Sequence, residues 1–391
     1  RQTIGGTMCP SFMATRDEEN TTRGRANALR NVFSGVLPQE EFTGERLHEV
    51  LDLCLACKGC KIECPSSVDM AKLKYEFLGH YHKEHGYSLR DRLFGKVFKL
   101  NPIGNKLAPV LNLAMKLPGT RMLQGLIGIH PKRKLPAFAT QTFSSWFKKH
   151  QREMSRGSGH TLDMTRGAGD GLATSPTRGR VILFNDTFME ANNPEVGIAA
   201  TKVLEKLGFS VETAPRWCCG RTMMSKGMMD PVKENARNNV DLFYPYAQAG
   251  IPIIGTEPSC LLTLRDEYPD LLPGDSKAST VASQTFLLDE FLAKLANEGD
   301  LDLDLQPHDG KVIFHGHCHQ KAAIGIDASV AVLKMVPGVE VETPDTGCCG
   351  MAGAFGFEKE HYDVSMAIGE RVLFPAVRNN PGATIVTTGV S

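Results

Sequence analysis

The residues with the clearest chemistry in this 391-residue chain are four closely spaced cysteines. They form the run Cys54-Leu-Ala-Cys57-Lys-Gly-Cys60-Lys-Ile-Glu-Cys64-Pro65. In bacterial proteins the first three cysteines of such a run bind one [4Fe-4S] cluster, and the fourth binds a second cluster. A zinc site is the alternative, but zinc usually separates two cysteine pairs by roughly a dozen residues or more. The run therefore predicts a [4Fe-4S] cluster that carries electrons.

The cluster needs a fourth ligand, and the dipeptide Cys9-Pro10 repeats the Cys-Pro ending of the run. This predicts Cys9 as the ligand that completes the site with Cys54, Cys57 and Cys60. By the same logic Cys64 binds another cluster, and we expect the remaining ligands of that cluster to precede Arg1. Since the first residue is not methionine, we expect the chain to be part of a longer protein.

Composition limits the class of protein. The sequence has 44 basic and 44 acidic residues and is 41% hydrophobic, which is enough apolar material for two or three globular units. A net charge of zero gives no argument for a nucleic-acid partner. Eleven cysteines grouped in this way fit a reducing compartment better than a disulfide scaffold, and no signal peptide is evident. These observations predict a cytoplasmic protein.

Helices are expected on both sides of the cysteine run. Apolar residues with the spacing of one helix face precede and follow it: Leu47, Val50, Leu51, then Leu73, Phe77, Leu78 and Tyr81. Ser67 is a suitable N-cap for the second of these helices. An earlier helix, capped by Thr21 or Thr22, is expected to carry Arg23 and Arg25 on its surface. Residues 40–85 are thus predicted to fold as helix, cluster loop, helix.

Residues 91–150 are predicted to be a helical connector, broken by several prolines. No stretch approaches the roughly 20 uncharged residues that would span a bilayer. Residues 107–117 have an amphipathic pattern with basic flanks. Packing against a partner domain is the favoured interpretation, and peripheral contact with the inner face of a membrane is the alternative. Residues 151–178 are rich in glycine and serine, which predicts a flexible linker.

The second half of the sequence contains an internal repeat. Residues 181–187 align with 312–318, Trp217-Cys-Cys-Gly220 aligns with Gly347-Cys-Cys-Gly350, and residues 250–259 align with 382–391. Each copy reads as strand, helix, strand, Cys-Cys-Gly turn, helix and strand. Alternation of apolar strands with helices predicts small parallel sheets. We also expect a cysteine directly after Ser391, as the counterpart of Cys260.

Cysteines gather at the predicted ends of these strands, where α/β folds place ligands. The second copy offers Cys318, Cys348, Cys349 and the cysteine expected after Ser391. The first copy retains Cys218, Cys219 and Cys260, because Thr187 stands where the second copy has Cys318. A metal or cluster site is predicted in the second copy. A vestigial site with three buried thiols is an equal alternative for the first.

Three histidines surround a ligand cysteine in His315-Gly-His317-Cys318-His319. On a strand, alternation would place positions 315, 317 and 319 on one side. Imidazoles in such an arrangement bind metal or move a proton near neutral pH. We therefore predict His317 and His319 as candidate catalytic residues.

These motifs resemble known families. The Cys-Cys-Gly repeat resembles the cysteine-rich (CCG) domain of heterodisulfide reductase and of the iron–sulfur subunits of glycolate oxidase and anaerobic glycerol-3-phosphate dehydrogenase. Four further stretches resemble the C-terminal part of large FAD-linked oxidases, which include D-2-hydroxyglutarate and D-lactate type dehydrogenases. They are residues 8–18, residues 22–26, Cys54–Pro65 with Val68-Asp69-Met70, and residues 130–136.

The resemblance implies an α+β multidomain fold. A helical ferredoxin-type [4Fe-4S] domain (1–90) precedes the connector and linker, and a duplicated CCG domain (179–391) follows, with copies at 179–270 and 310–391. FAD would lie in an N-terminal domain ahead of Arg1.

The function that the resemblance implies is electron transfer from reduced flavin to quinone or a carrier protein, within a D-2-hydroxyacid dehydrogenase. The implied partner is an FAD-binding domain or subunit, and self-association is left open. One alternative is a heterodisulfide-reductase-like subunit with a catalytic cluster at the CCG site. Another is a noncatalytic subunit that anchors a dehydrogenase and holds structural zinc.

Overall fold

A computed structural model describes residues 9–157, 178–301 and 303–390. Its first part is helical: α1 (Pro10–Thr15), α2 (Thr22–Phe33), α3 (Glu45–Asp52), α4 (Gly59–Glu63) and α5 (Met70–His85), with 3-10 helices at Glu18–Asn20 and Gln39–Thr43. The Thr21 side chain caps α2, as predicted. Asp69 caps α5, so the prediction of Ser67 was wrong. Ser67 has a φ of 51°, whereas an N-cap is extended.

The cysteine run lies between helices, as the sequence pattern predicted. Leu47, Val50 and Leu51 on α3 are buried. The helix ends at Asp52, so Cys54 opens the loop that leads to α4. A core of apolar side chains from α2, α3 and α5 packs against the cysteine run.

Five further helices make up the connector: α6 (Leu89–Gly95), α7 (Val97–Lys106), α8 (Ala108–Ala114), α9 (Pro118–Leu126) and α10 (Phe143–Gly157). Residues 151–157 therefore belong to a helix and not to the predicted linker. The aromatic residues Phe143 and Phe147 pack in the core of the following domain. This packing holds α10 in place, and the helix continues past residue 150. The rest of the predicted linker, 158–177, lies outside the described residues. Among the described helices, none combines the length and the apolar character needed to cross a bilayer.

The first repeat contains β1 (Arg180–Leu183), α11 (Thr187–Ala191), α12 (Pro194–Lys206), β2 (Ser210–Glu212), α13 (Arg221–Met224), α14 (Met229–Gln248), β3 (Ile253–Gly255), α15 (Pro258–Leu262), a π-helix (Thr263–Glu267), α16 (Tyr268–Leu271), α17 (Ser276–Ser283), β4 (Thr285–Leu287) and α18 (Leu288–Asn297). Its strands are parallel in the order β2-β1-β3-β4. The fourth strand lies beyond the predicted copy 179–270. Val181 and Leu183 pack on one face of the sheet and Ile182 on the other, so helices cover both faces.

The second repeat contains β5 (Gly310–His315), α19 (Cys318–Ala323), α20 (Asp327–Lys334), β6 (Val339–Glu342), a 3-10 helix (Phe355–Phe357), α21 (Tyr362–Glu370), α22 (Leu373–Arg378) and β7 (Thr384–Thr387). Its strands are parallel in the order β6-β5-β7. The predicted small parallel sheets are therefore present in both copies.

Cysteine-bearing helices from the three parts of the chain pack together. Helix α19 contacts both α4 and α15. Each begins at or near a cysteine, so the fold gathers the three cysteine groups toward one region.

Candidate metal centre

Four cysteines line a single cavity in the helical part. Cys9 precedes α1, Cys54 follows α3, Cys57 lies in the loop, and Cys60 is on α4. All four contribute to the cavity wall, together with Arg25 and apolar residues of the loop and α5. The structure thus brings together the four residues that the sequence grouped, although their role as ligands stays a prediction.

The cavity suits a group that holds thiolates and excludes water. Burial raises the pKa of the Cys60 thiol to about 11 and that of Cys57 well above its usual value. Both thiols would therefore stay protonated at neutral pH unless a metal compensated the charge. Backbone N–H groups of Gly59 and Met70 point at these sulfurs and favour the thiolate form. Iron would supply the remaining stabilisation, so the donor set fits a [4Fe-4S] cluster.

The loop reaches this geometry through unusual backbone conformations. Ala56 and Lys58, on either side of Cys57, have φ values of 51° and 61°. Such left-handed conformations are uncommon outside glycine, and they turn the chain so that Cys57 faces the cavity. Cys9 is held separately, since its sulfur accepts a hydrogen bond from the Thr22 N–H at 3.0 Å.

Cys64 does not line this cavity. Cys64 is half-buried, and backbone N–H groups of Val68 and Ser66 lower the pKa of its thiol. This shift favours the thiolate form. This arrangement suits the predicted ligation of another cluster, which stays a prediction.

Lys58 and Lys61 flank the cysteines of the run. Lys58 is buried, with 3% of its surface exposed, and forms ion pairs with Asp266 and Glu267. Lys61 also pairs with Asp266. Burial alone would raise the pKa of Asp266, but these lysines hold it well below its usual value. The carboxylates offset the positive charges, so the lysines have less effect on a cluster than they would alone.

Arg25 holds the cavity together. The sequence pattern predicted a position on the helix surface, but only 2% of this residue is exposed. The guanidinium donates to the Ser11 hydroxyl at 3.0 Å, to the Asn20 carbonyl at 2.8 Å and to the Val50 carbonyl at 3.2 Å. These bonds tie the segment that carries Cys9 to the end of α3, next to Cys54.

We expect Arg25→Leu to lower the free energy of unfolding by about 3 kcal/mol, because it leaves buried carbonyl groups unpaired. Iron content per chain should fall with it, since Cys9 loses its position. Arg23→Leu is the matched control, because Arg23 lies on the same helix, has a side chain that is 67% exposed, and forms a surface ion pair with Glu18. Chemical denaturation and iron analysis would measure both effects. Equal behaviour of the two variants would contradict this role.

Three cysteines meet in the first repeat. The thiols of Cys218 and Cys260 lie close enough to Cys219 to shift its pKa. The Thr187 hydroxyl donates to the Cys218 sulfur at 3.7 Å, so it lies where the second repeat has a cysteine. The three thiols are buried. Burial is expected both for a vestigial site and for a metal site, so it does not separate the two predictions.

A buried carboxylate lies beside this group. Burial, together with the nearby Glu257, raises the pKa of Asp186 to about 6. Glu257 accepts a hydrogen bond from the Val390 N–H at 2.7 Å, which joins the first repeat to the end of the second.

In the second repeat Cys348 lies beside the thiols of Cys318 and Cys349. The nearby Cys318 thiol and burial raise the pKa of Cys348 to about 12. The Cys-Cys-Gly turn depends on Gly350, which has a φ of 86°. A Cβ atom there would lie 2.3 Å from the Ser365 carbonyl oxygen. Glycine thus permits the close turn that the sequence predicted.

The three histidines do not share one strand face, so that prediction was wrong. The strand ends at His315, and α19 begins at Cys318 with His317 as its N-cap. His315 Nδ1 lies 2.6 Å from the Thr346 hydroxyl. The change from strand to helix ends the alternation on which the prediction depended.

His319 instead contacts the cluster loop. Its Nε2 lies 3.0 Å from the Ala56 carbonyl oxygen, to which it can donate only as the Nε2–H form. Burial and the nearby Arg221 hold its pKa well below the usual value, so the ring is neutral. A catalytic role for His317 or His319 stays a prediction, and the geometry of His319 favours a positioning role.

The first cavity and the second repeat share one apolar cluster. Leu55 and Cys57 pack there with Cys348, Phe355 and Ile368, and Cys318 lies at its edge. In the described ranges, no three His, Cys, Asp or Glu side chains surround a point as they would a single metal ion. In a [4Fe-4S] cubane each thiolate binds a different iron, which is a wider arrangement.

Family models match most of the regions just described. A cysteine-rich domain, CCG, matches residues 186–265 and 312–388, in agreement with the two repeats. A 4Fe-4S dicluster domain matches residues 6–69, which include all five cysteines of the helical part. No solved structure matches the chain.

Several curated proteins are similar to the chain. An anaerobic glycerol-3-phosphate dehydrogenase subunit of Escherichia coli (strain K12) is 29% identical over 77% of this chain and 70% of its own length. Lactate utilization protein A of Macrococcus caseolyticus is 30% identical over 45% of this chain and 72% of its own. D-2-hydroxyglutarate dehydrogenase of Escherichia coli (strain K12) is 26% identical over 98% of this chain, which spans 39% of that protein.

Proposed function

We propose that this chain carries electrons away from a reduced flavin, because it belongs to the family of iron–sulfur proteins that join a 4Fe-4S dicluster domain to a repeated cysteine-rich domain. The observation that carries this proposal is the convergence of Cys9, Cys54, Cys57 and Cys60 on one cavity. A [4Fe-4S] cluster, when bound, accepts and donates one electron at a time. The residues of this chain would hold it, exclude water and adjust its potential.

The donor we propose is FAD in a partner domain or subunit. Reduced flavin holds two electrons, and a one-electron carrier removes them singly. Relatives named as dehydrogenases support this assignment. We propose a D-2-hydroxyacid as the substrate of the flavin, as the resemblance to D-2-hydroxyglutarate dehydrogenase suggests.

The next step for the electrons is the second repeat. Cys57 and Cys348 belong to one buried cluster of side chains, which also includes Leu55 of the loop. Close, dry contact between two sulfur-rich sites favours electron transfer between groups bound at each. We propose that the second repeat also holds a metal centre, with Cys318, Cys348 and Cys349 as ligands.

The test is reconstitution of the chain with iron and sulfide without oxygen. Dithionite should bleach the visible absorption of the clusters, and a soluble benzoquinone should restore it. Iron and zinc analysis separates this proposal from the structural-zinc alternative. Zinc with little iron, or absorption that dithionite leaves unchanged, would refute electron transfer.

The connector has an exposed apolar surface that bears on the location of the protein. Large apolar side chains on or beside α7, α8 and α9 are between 40% and 83% exposed, and we call them the apolar connector face: Leu100, Ile103, Leu107, Val110, Leu113, Leu117, Met122, Leu123 and Leu126. Between Asp91 and Glu153 the sequence has twelve basic residues and no acidic one. Exposed apolar groups among positive charges suit an anionic lipid surface. We therefore propose peripheral membrane contact through this face.

We expect Lys106→Glu combined with Lys116→Glu to weaken binding to vesicles of phosphatidylglycerol by about 30-fold or more, since each lysine near such a surface contributes about 1 kcal/mol. Both lysines are exposed on the connector. Lys277→Glu with Lys294→Glu is the matched control, because these exposed lysines lie on α17 and α18. Vesicle co-sedimentation measures the difference. Absence of binding by the unchanged chain would favour a protein partner for this face.

A further inference from the structure

A large cavity adjoins the first repeat. It has a volume of about 900 Å³ and opens between α7, the chain at 140–145 and the ends of β1 and β2. This volume lies in the range of small-molecule sites. We call it the Trp217 cavity, after the aromatic residue in its wall.

The cavity reaches the cysteine group of the first repeat. Thr187 and Cys218 both line it, and Cys218 is 4% exposed. Trp217, directly before this cysteine, is 46% exposed. Small molecules in the cavity would therefore lie beside the Cys218 thiol and against a flat aromatic surface.

The wall is mixed in character, with apolar and aromatic surface from Phe98, Pro215 and Trp217 and hydrogen-bonding side chains near the cysteine. Asn185 Oδ1 is buried and has no hydrogen-bond partner among the described residues. It can accept a hydrogen bond from a hydroxyl group in the cavity.

Besides Lys106, Arg216 supplies a positive charge in this wall. Its guanidinium donates to the Asn185 and Trp217 carbonyl oxygens and stacks over the Phe184 ring, 4.9 Å from the ring centre. These contacts fix a planar cation next to Cys218. Such a group stabilises negative charge that develops on an oxygen in the cavity.

Helix α7 separates the cavity from the apolar connector face. Asn101 and Asn105 line the cavity, whereas Ile103 and Leu107 lie on the other side of the helix and are at least 50% exposed. The width of a helix with its side chains is about 10 Å. A ligand with a long apolar tail could thus place its ring in the cavity and its tail in a lipid surface.

We infer that the Trp217 cavity binds the ring of a lipid-soluble quinone, which is the electron acceptor of the proposed function. The inference rests on that proposed function. Two electrons arrive one at a time from reduced iron–sulfur centres, and two protons come from water in the open cavity. Both ring C=O groups become C–OH groups, and the hydroquinone leaves.

Fluorescence tests binding without any electron transfer. Trp146 and Trp217 are the two tryptophans of the sequence, so Trp146→Phe leaves Trp217 as the sole reporter. Quinones quench an excited indole on contact. Titration of the reconstituted chain with a short-chain alkyl benzoquinone should give saturable quenching, with half-saturation in the micromolar range of about 1 to 100 µM.

A cavity variant provides the comparison. Ser145 lines the cavity and is exposed near the start of α10, so Ser145→Phe should narrow the cavity without disturbing the core. In the Trp146→Phe background we expect it to weaken quenching about tenfold or more. Ser155→Phe is the matched control, because Ser155 is exposed on the same helix outside the cavity wall.

Reoxidation of the reduced clusters gives a second measurement. Ser145→Phe should slow reoxidation by the quinone about tenfold but leave reoxidation by ferricyanide, a small hydrophilic oxidant, unchanged. Quenching that does not saturate, or that Ser145→Phe leaves unaltered, would overturn the inference. If dithionite reduces the clusters but the quinone does not quench the Trp217 fluorescence, the proposed function is supported and the quinone site is refuted. Saturable quenching by a chain whose clusters cannot be reduced would support the site and refute electron transfer.

Discussion

Replacing Cys57 with serine is expected to stop electron flow through the chain while leaving oxidation of the flavin's substrate intact. Cys57 is buried in the cavity wall and belongs to the same buried cluster of side chains as Cys348. A serine hydroxyl is a poorer iron ligand than a thiolate, so the cluster would be lost or altered. In the protein together with its flavin domain or subunit, substrate should reduce the flavin at the normal rate. Reduction of the acceptor should fall about 100-fold or more.

Stopped-flow absorbance separates the two half-reactions, because flavin and cluster absorb differently. Cys64→Ser is the matched control, since Cys64 belongs to the same run but lies outside the cavity wall. That variant should keep the bleachable absorption of the cluster bound by Cys9, Cys54, Cys57 and Cys60. An equal loss of both half-reactions in Cys57→Ser would contradict the relay. So would an unchanged rate of acceptor reduction.

The grouping of the four cavity cysteines could be anticipated because most of it is local. Cys54, Cys57 and Cys60 are close in sequence, and no fold could separate them widely. The inclusion of Cys9 depended on its Cys-Pro context, and the structure places it in the same wall. The parallel sheets were also predictable, since repeated strand and helix patterns describe one unit that occurs twice.

The contacts between distant segments could not be predicted. Lys58 pairs with Asp266, which is more than 200 positions away, and no pattern links the two. Arg25 has the spacing of a surface residue, but segments on either side of it close over the guanidinium. Burial of a charged group depends on tertiary packing, which helix periodicity does not describe.

The histidine prediction failed for a different reason. Alternation is a property of a strand, and the strand ends at His315. His319 then turns toward the Ala56 carbonyl oxygen through helix geometry. His317 could have been recognised as an N-cap, because a helix begins directly after it. A strand that ends within three residues of a helix start is nevertheless hard to delimit from sequence periodicity.

Stability of the contact between the helical part and the second repeat should fall as pH rises from about 6.5 to 9. His361 lies between Asp52, two residues before Cys54, and Glu358 of the second repeat, with nitrogen–oxygen distances of 2.7 Å to each. Burial alone would lower the pKa of His361, but the two carboxylates outweigh it and raise the pKa to about 9. The folded protein therefore binds a proton here more tightly than the unfolded chain, whose histidine has a pKa of 6.5.

The sign follows from that difference. Below pH 6.5 both states hold the proton and the stabilisation is complete. As pH rises through 9 the folded state also loses it, so about 3 kcal/mol of stabilisation disappears across the window. Unfolding midpoints measured from pH 6 to 9.5 should fall for the unchanged chain. Those of His361→Gln, which has no charge to lose, should start lower and fall less. If the unfolding midpoints of the two proteins change with pH in parallel, His361 is not protonated in the folded state. The ion pairs of His361 could not then join the helical part to the second repeat.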